Sequence, residues 1–136
     1  MSARPKVLIV EDDPSVRATI VHALGDLVEQ AEADTGQGAL ARFRHSILAR
    51  DPFGLVTLDL GLPGVDGQIL LECFRGLEAV HQARSRAKIL VVSAAGERDA
   101  IMAALRHGAD GYVTKPFDPR GLRARVREML GLPAEP

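Results

Sequence analysis

Tryptophan is absent from this 136-residue chain, and tyrosine and cysteine occur once each. A lone Cys73 forms neither an internal disulfide nor a cysteine-based metal site, so a reducing compartment is the natural setting. No apolar run approaches the roughly 20 residues that span a bilayer. The opening Met1-Ser2-Ala3-Arg4-Pro5 leads into an apolar stretch without a signal-peptide core, and a cytoplasmic location is expected. An excess of charge is lacking too: the formal net charge is −1, with no global pull toward nucleic acid or an anionic membrane. His22, His45, His81 and His107 show no metal-ligand spacing and are expected at the surface. The remaining composition is that of an ordinary globular domain, 46% apolar and 26% charged. At this length one domain buries about two-thirds of its unfolded surface.

Short apolar runs alternate with segments of helical period, the pattern of βαβ units and a parallel sheet. The strands are expected at Lys6 to Val10, Val28 to Ala33, Leu55 to Leu60, Lys88 to Val92 and Gly111 to Val113. Asp13 reads as a helix cap with Pro14 at the first helical position, and Asp118 with Pro119 repeats the signal. Helix one carries Val16, Ile20, Val21 and Leu24 inward and ends near Gly25. Helix two, from about Gln37 to Ala49, presents Leu40, Phe43, Ile47 and Leu48 on one face. The turn-rich Leu62-Pro63-Gly64-Val65-Asp66-Gly67 precedes helix three, with Ile69, Leu70, Cys73, Phe74 and Leu77. Helix four runs from about Arg98 to His107 before Gly108, and helix five to about Leu130. Cys73, Met102 and Met129 fall at core or near-core spacing.

Polar residues lie at the carboxyl ends of four of the five strand candidates. Glu11, Asp12 and Asp13 follow strand one, Asp59 lies at the end of strand three, Ser93 follows strand four, and Lys115 follows strand five. Ligand sites of open parallel sheets form outside the carboxyl ends of the strands, where the strand order reverses. Carboxylates converging there repel unless a cation lies between them, and an oxygen-only set suits Mg²⁺. An aspartate so placed can act as a nucleophile toward a phosphoryl group, with Ser93 and Lys115 contacting the phosphoryl oxygens.

Four stretches in order, Val7-Leu8-Ile9-Val10-Glu11-Asp12-Asp13, Leu58 to Gly67, Val91-Val92-Ser93-Ala94, and Gly108 to Phe117, carry a resemblance to response regulator receiver domains of two-component signalling, of the chemotaxis-regulator kind. The resemblance spans about Lys6 to Leu130. It implies a flavodoxin-like (βα)5 fold, a doubly wound five-stranded parallel sheet in the order 2-1-3-4-5 with five helices. Residues 1–136 would be a single receiver domain with its core at about 6–130, and 131–136 a short tail or linker remnant. By the same resemblance Asp59 is the phosphoacceptor, Lys115 the phosphate-pairing lysine, Ser93 the switch hydroxyl, and Tyr112 the aromatic that turns inward when that hydroxyl moves. Mg²⁺ (or Mn²⁺) would be held by Asp12, Asp59 and the Gly61 backbone carbonyl, and by Glu11 through water. The bond before Pro116 is a candidate cis peptide, and Asp13 remains a helix cap. The implied partners are a sensor histidine kinase or a histidine phosphotransfer protein, and a downstream protein not named by the sequence; a phosphorylation-dependent homodimer stays open.

Two departures from the family pattern stand out. The stretches Gly36 to Asp59 and Asp59 to Ser93 are several residues longer than usual; the additions should fall at the end of the sheet opposite the site. Gly61 and Ala95 are both small where side chains gate water's approach to the phosphoryl group, which suggests fast self-dephosphorylation. The arginines at 120, 123, 125 and 127 lack interleaved aromatics and read as a solvated helix face, against direct nucleic-acid binding. The basic stretch around Arg84 and Arg86 reads the same way. Two other functions share parts of this pattern: a degenerate receiver acting as a phosphate-independent binding module, and an aspartate-nucleophile phosphatase. The second needs an acid two residues past the nucleophile, where Gly61 stands. The output is either that of a stand-alone regulator or that of a receiver cut from a longer chain.

Overall fold

The computed structural model describes residues 4–94 and 96–135. In it β1 (Lys6–Val10), β2 (Glu29–Ala33), β3 (Leu55–Leu58), β4 (Lys88–Ala94) and β5 (Gly111–Lys115) form one parallel sheet in the order β2-β1-β3-β4-β5. The helices between and after them are α1 (Pro14–Leu24), α2 (Gly36–Leu48), α3 (Gly67–Val80), α4 (Arg98–Arg106) and α5 (Pro119–Met129). This is the flavodoxin-like (βα)5 arrangement. The chain leaves β1 for β2 on one side and crosses back to β3 on the other, so the strand order reverses between β1 and β3. Val10 pairs with Ala33 on one side and Leu58 on the other, which puts the residues just past β1 and β3 at the same height.

Strand alternation divides the core in two. Leu8, Val10, Val56, Leu58, Ile89 and Val91 face α2, α3 and α4. On that side the Phe43 and Phe74 rings meet at 4.8 Å between centroids, tilted 57°. Val7, Ile9, Leu55 and Leu90 face the other way, against Ile20 and Leu24 of α1 and Leu122 and Val126 of α5. Caps set the helix starts. Asp13 Oδ1 accepts from the N–H groups of Ser15 and Val16, and Asp66 and Asp118 cap α3 and α5 in the same way. Gly67 begins α3 against the chain just past Asp59: a Cβ there would stand 2.7 Å from Leu60 Cδ2 and 2.8 Å from Leu60 Cα.

Several boundaries differ from the sequence reading. β2 starts at Glu29, with Val28 buried outside the ladder, and β3 stops at Leu58. Thr35 Oγ1 accepts the Gly38 N–H, so α2 starts at Gly36 and ends at Leu48. β4 continues to Ala94 and β5 to Lys115, because the ladder runs on through Ser93–Thr114 and Ala94–Lys115. Ser93 and Lys115 are thus strand residues rather than the first residues of loops. α4 ends at Arg106. Leu48 and Met102, expected inward, are exposed. Each lies one residue, a rotation of about 100°, past a buried isoleucine, Ile47 and Ile101, that already takes the core-facing position. Ile69 is exposed beside buried Leu70 and Leu71 for the same reason.

The two long stretches precede β3 and β4 and meet at the amino-terminal edge of the sheet. There Arg50 and Gln82 adopt left-handed backbone conformations, and Ile47, Pro52, His81 and Arg84 join them around a shallow cavity of about 280 Å³. Among the described residues no helix is long and apolar enough to cross a membrane.

Candidate acidic site at the carboxyl edge of the sheet

Glu11 and Asp59 each extend the ladder by one bond beyond their strand. The Glu11 N–H donates to Ala33 O at 3.0 Å, and the Asp59 N–H to Val10 O at 3.1 Å. The backbone therefore fixes where both side chains originate, and both are buried. Asp12 is half-buried beside them, and one carboxylate oxygen from each of Glu11, Asp12 and Asp59 lies within 4.8 Å of the others. Lys115, from the end of β5, reaches across to this cluster. Its Nζ is 2.8 Å from Glu11 Oε1 and 3.5 Å from Asp59 Oδ2. Asp59 Oδ1 accepts the Gly61 N–H at 2.9 Å, and Glu11 Oε2 accepts the Asp13 N–H at 3.2 Å.

Glu11 and Asp59 share one ammonium, and the titration of Glu11 and Lys115 reflects it. Burial pushes the Glu11 carboxyl above the usual range, with the Asp59 charge adding to the rise and the Lys115 contact opposing it. Burial pulls the Lys115 ammonium down, but the Glu11 hydrogen bond and the Asp59 and Glu11 charges outweigh it and leave it raised. Three carboxylate oxygens gathered within 4.8 Å of one another, with a single ammonium beside them, are an all-oxygen set that fits a hard divalent cation.

Ser93 is fully buried within β4. Its hydroxyl donates to a carboxylate oxygen of Glu97, the residue that precedes α4. Sequence reasoning missed Glu97, which reads there as an ordinary acid at a helix start. A four-residue spacing across a tight turn is the only signal that could have raised it. Tyr112 pairs with Val91, on the same sheet face as Ser93 two residues on, and half of it is open to solvent. The Lys115–Pro116 bond is cis. Ala95 lies outside the described residues. Asp13 is the cap of α1 and contributes no carboxylate to the cluster. The arginines of α5 are partly spent within the chain: Arg123 pairs with Glu135 and donates to the carbonyls of Ala23 and Leu24, and Arg127 donates to Pro133 O.

A doubly wound sheet with carboxylates, a lysine and a serine gathered at its switch point defines an α/β protein whose chemistry sits at the carboxyl edge. The response regulator receiver domain model matches residues 7–127, and the chain belongs to that family. Members of it are typically signalling switches rather than classical enzymes, consistent with a place in a two-component system. Two relatives come from Pseudomonas aeruginosa. The chain is 33% identical to the chemotaxis protein CheY over 92% of its length and 95% of that protein. It is 32% identical to the transcriptional regulatory protein AruR over 96% of its length, but spans only 51% of AruR. Among solved structures, a CheY-like response regulator receiver domain protein from Methanospirillum hungatei superposes with a TM-score of 0.79 at 27% identity, covering 95% of both chains.

Proposed function

We propose that the chain is a phosphorylation switch whose phosphoacceptor is Asp59. The observation that carries the reading is the Lys115 ammonium within ion-pair distance of both Glu11 and Asp59, at the point where β1 and β3 end side by side. An Asp59 carboxylate oxygen attacks the phosphorus of a phosphohistidine on a sensor kinase or a phosphotransfer protein. The new O–P bond forms as the P–N bond breaks, and the electron pair returns to the imidazole nitrogen. Lys115 meets the phosphoryl charge, and the Ser93 hydroxyl donates to a second phosphoryl oxygen. Asp12 and Asp59 would hold Mg²⁺ or Mn²⁺ with the Gly61 carbonyl, and Glu11 through water; the cation supplies positive charge for the phosphoryl oxygens.

Phosphorylation adds negative charge and three strong acceptors at Asp59. Movement of Ser93 toward them frees space beside Val91 that Tyr112 can enter, biasing the surface of α4, β5 and α5 toward a partner-binding state. The partner is a downstream protein or a second copy of the chain. Residues of about 6–130 act as one receiver unit in a cytoplasmic setting.

The direct test is intact mass after incubation with acetyl phosphate and Mg²⁺, wild type beside Asp59→Asn. A hydroxylamine-labile gain of one phosphate, dependent on Mg²⁺ and absent from the variant, is expected. No gain under conditions that label a control receiver, nor with a cognate phosphohistidine donor, would leave a phosphate-independent binding module.

A further inference from the structure

The one hydroxyl that the phosphoryl group needs is already engaged. Ser93 Oγ–H donates to the Glu97 carboxylate, and a serine hydroxyl has a single proton to give. Hydrogen bonds to an ionised acceptor are markedly stronger than neutral ones. The backbone holds Glu97 in place for this. Its N–H donates to Ala94 O at 3.0 Å, closing a tight turn off β4, and its carbonyl accepts the first helical bond of α4 from Ile101 at 2.9 Å. Although Glu97 is the cap residue of α4, its side chain makes no capping hydrogen bond. It turns back into the sheet edge. Its Oε1 is 3.5 Å from where a Cβ at Gly61 would stand, and that same point is 3.4 Å from Asp59 Oδ1. Among the described residues no cation pairs with Glu97, so nothing but Ser93 answers it.

The geometry points to Glu97 as a positioning residue for the switch: it holds the Ser93 hydroxyl away from Asp59 and must release it before that hydroxyl can reach a phosphoryl oxygen. The inference rests on Asp59 being the phosphoacceptor. Release unties the side chain of the α4 cap residue from Ser93 of β4, which links the loaded site to the helix whose surface changes. Glu97 thereby sets the balance between the resting and loaded states without touching the phosphoryl group.

Beryllofluoride, which stands in for a phosphoryl group on an aspartate, gives an equilibrium readout. Binding in saturating Mg²⁺ is titrated by calorimetry for wild type, Glu97→Gln and Glu97→Ala, each also in a Ser93→Ala background. Glu97→Ala is expected to bind roughly tenfold tighter than wild type. Glu97→Gln should fall between, because its amide oxygen still accepts the hydroxyl but as a neutral group. Both gains should vanish with Ser93→Ala. Equal gains in the two backgrounds would reduce Glu97 to a repelling charge and overturn the proposal, as would no gain at all. The Gln variant keeps the side chain's shape, so the cycle can be read even if Glu97→Ala folds poorly. Wild type that takes neither beryllofluoride nor phosphate would instead remove the Asp59 reading itself; wild type that takes both, with no effect at Glu97, removes only the latch.

Discussion

Two glycines, Gly61 and Gly67, follow the candidate phosphoacceptor, and they tolerate substitution very differently. At Gly67 the added Cβ would collide with Leu60, including its Cα and, at 2.9 Å, its carbonyl oxygen, and backbone atoms cannot step aside as a flexible side-chain end can. Gly67→Ala should lower stability by about 1–3 kcal/mol in chemical denaturation, the usual cost of overpacking, and should slow phosphorylation by shifting the chain just past Asp59. A stability equal to wild type would mean that α3 slides without strain. At Gly61 the contacts are ordinary, 3.4 Å to Asp59 Oδ1 and 3.5 Å to Glu97 Oε1, so a larger residue fits. If Asp59 carries the phosphoryl group, a side chain there would shield it from water. Gly61→Arg should lengthen the life of the phosphorylated form several-fold, read as the decay of the added mass after the donor is removed. An unchanged lifetime would sink the link between small gating residues and fast hydrolysis. Because the new guanidinium could draw Glu97 off Ser93, the decay needs repeating with Glu97→Gln; a gain that persists there belongs to shielding.

The stretch between α3 and β4 is largely exposed, but its Arg86 and Ala87 join a clamp centred on Arg75 and Asp110. Arg75 of α3 donates to Gly108 O at 2.7 Å, Ala87 O at 2.8 Å and Glu78 at 2.7 Å, and reaches Asp110 at 3.1 Å. Arg86 adds bonds to Asp110 at 2.9 Å and Gly108 O at 2.8 Å. Asp110 also accepts the Ile89 N–H at 2.9 Å, which ties α3, the start of β4 and the turn before β5 together. Burial pushes the Asp110 carboxyl up, but the Ile89 N–H and the two guanidinium groups outweigh it and hold it below the usual range. A depressed folded value means that the stabilisation is complete above the unfolded value near 3.9 and is lost as pH falls through the folded one. Asp110→Asn should therefore be less stable than wild type at neutral pH, with the gap closing below about pH 4. Denaturant midpoints across pH would show it, and a gap that stays constant would assign the effect to packing. None of this was legible around Arg84 and Arg86, because the partners of Arg86 lie 24 and 22 positions on, and Gly108 and Asp110 lie 33 and 35 positions beyond Arg75. Helical period was likewise too coarse to settle Leu48, Ile69 and Met102, where adjacent apolar residues compete for one buried stripe.

Across the whole molecule, legibility followed the strands. The central strands β1, β3 and β4 are apolar runs, and each of them, like the edge strand β5, carries its polar residue at the carboxyl end, so the convergence of Glu11, Asp12, Asp59, Ser93 and Lys115 on one edge could be inferred from the sequence. The partner of the Ser93 hydroxyl could not, since it depends on how the turn from Ala94 to Glu97 folds back. The same topology supplies a readout of the global switch. Tyr112 is the only tyrosine and tryptophan is absent, so excitation near 280 nm reports on that residue of β5. It is half-exposed here, on the Ser93 side of the sheet. Loading Asp59 with beryllofluoride should change its emission and reduce its quenching by added iodide as the ring moves inward. Removing the divalent cation with a chelator should abolish the change, because the carboxylate cluster then repels the anion. Ser93→Val separates the steps: it fills the space beside Val91, so Tyr112 should stay outside and its emission should not respond. Phosphate should still add to Asp59, more slowly, because Lys115 and the cation site are intact. A Tyr112 response that survives Ser93→Val would show that the ring moves independently of the hydroxyl, and the path from Asp59 to the α4, β5 and α5 surface would have to run elsewhere.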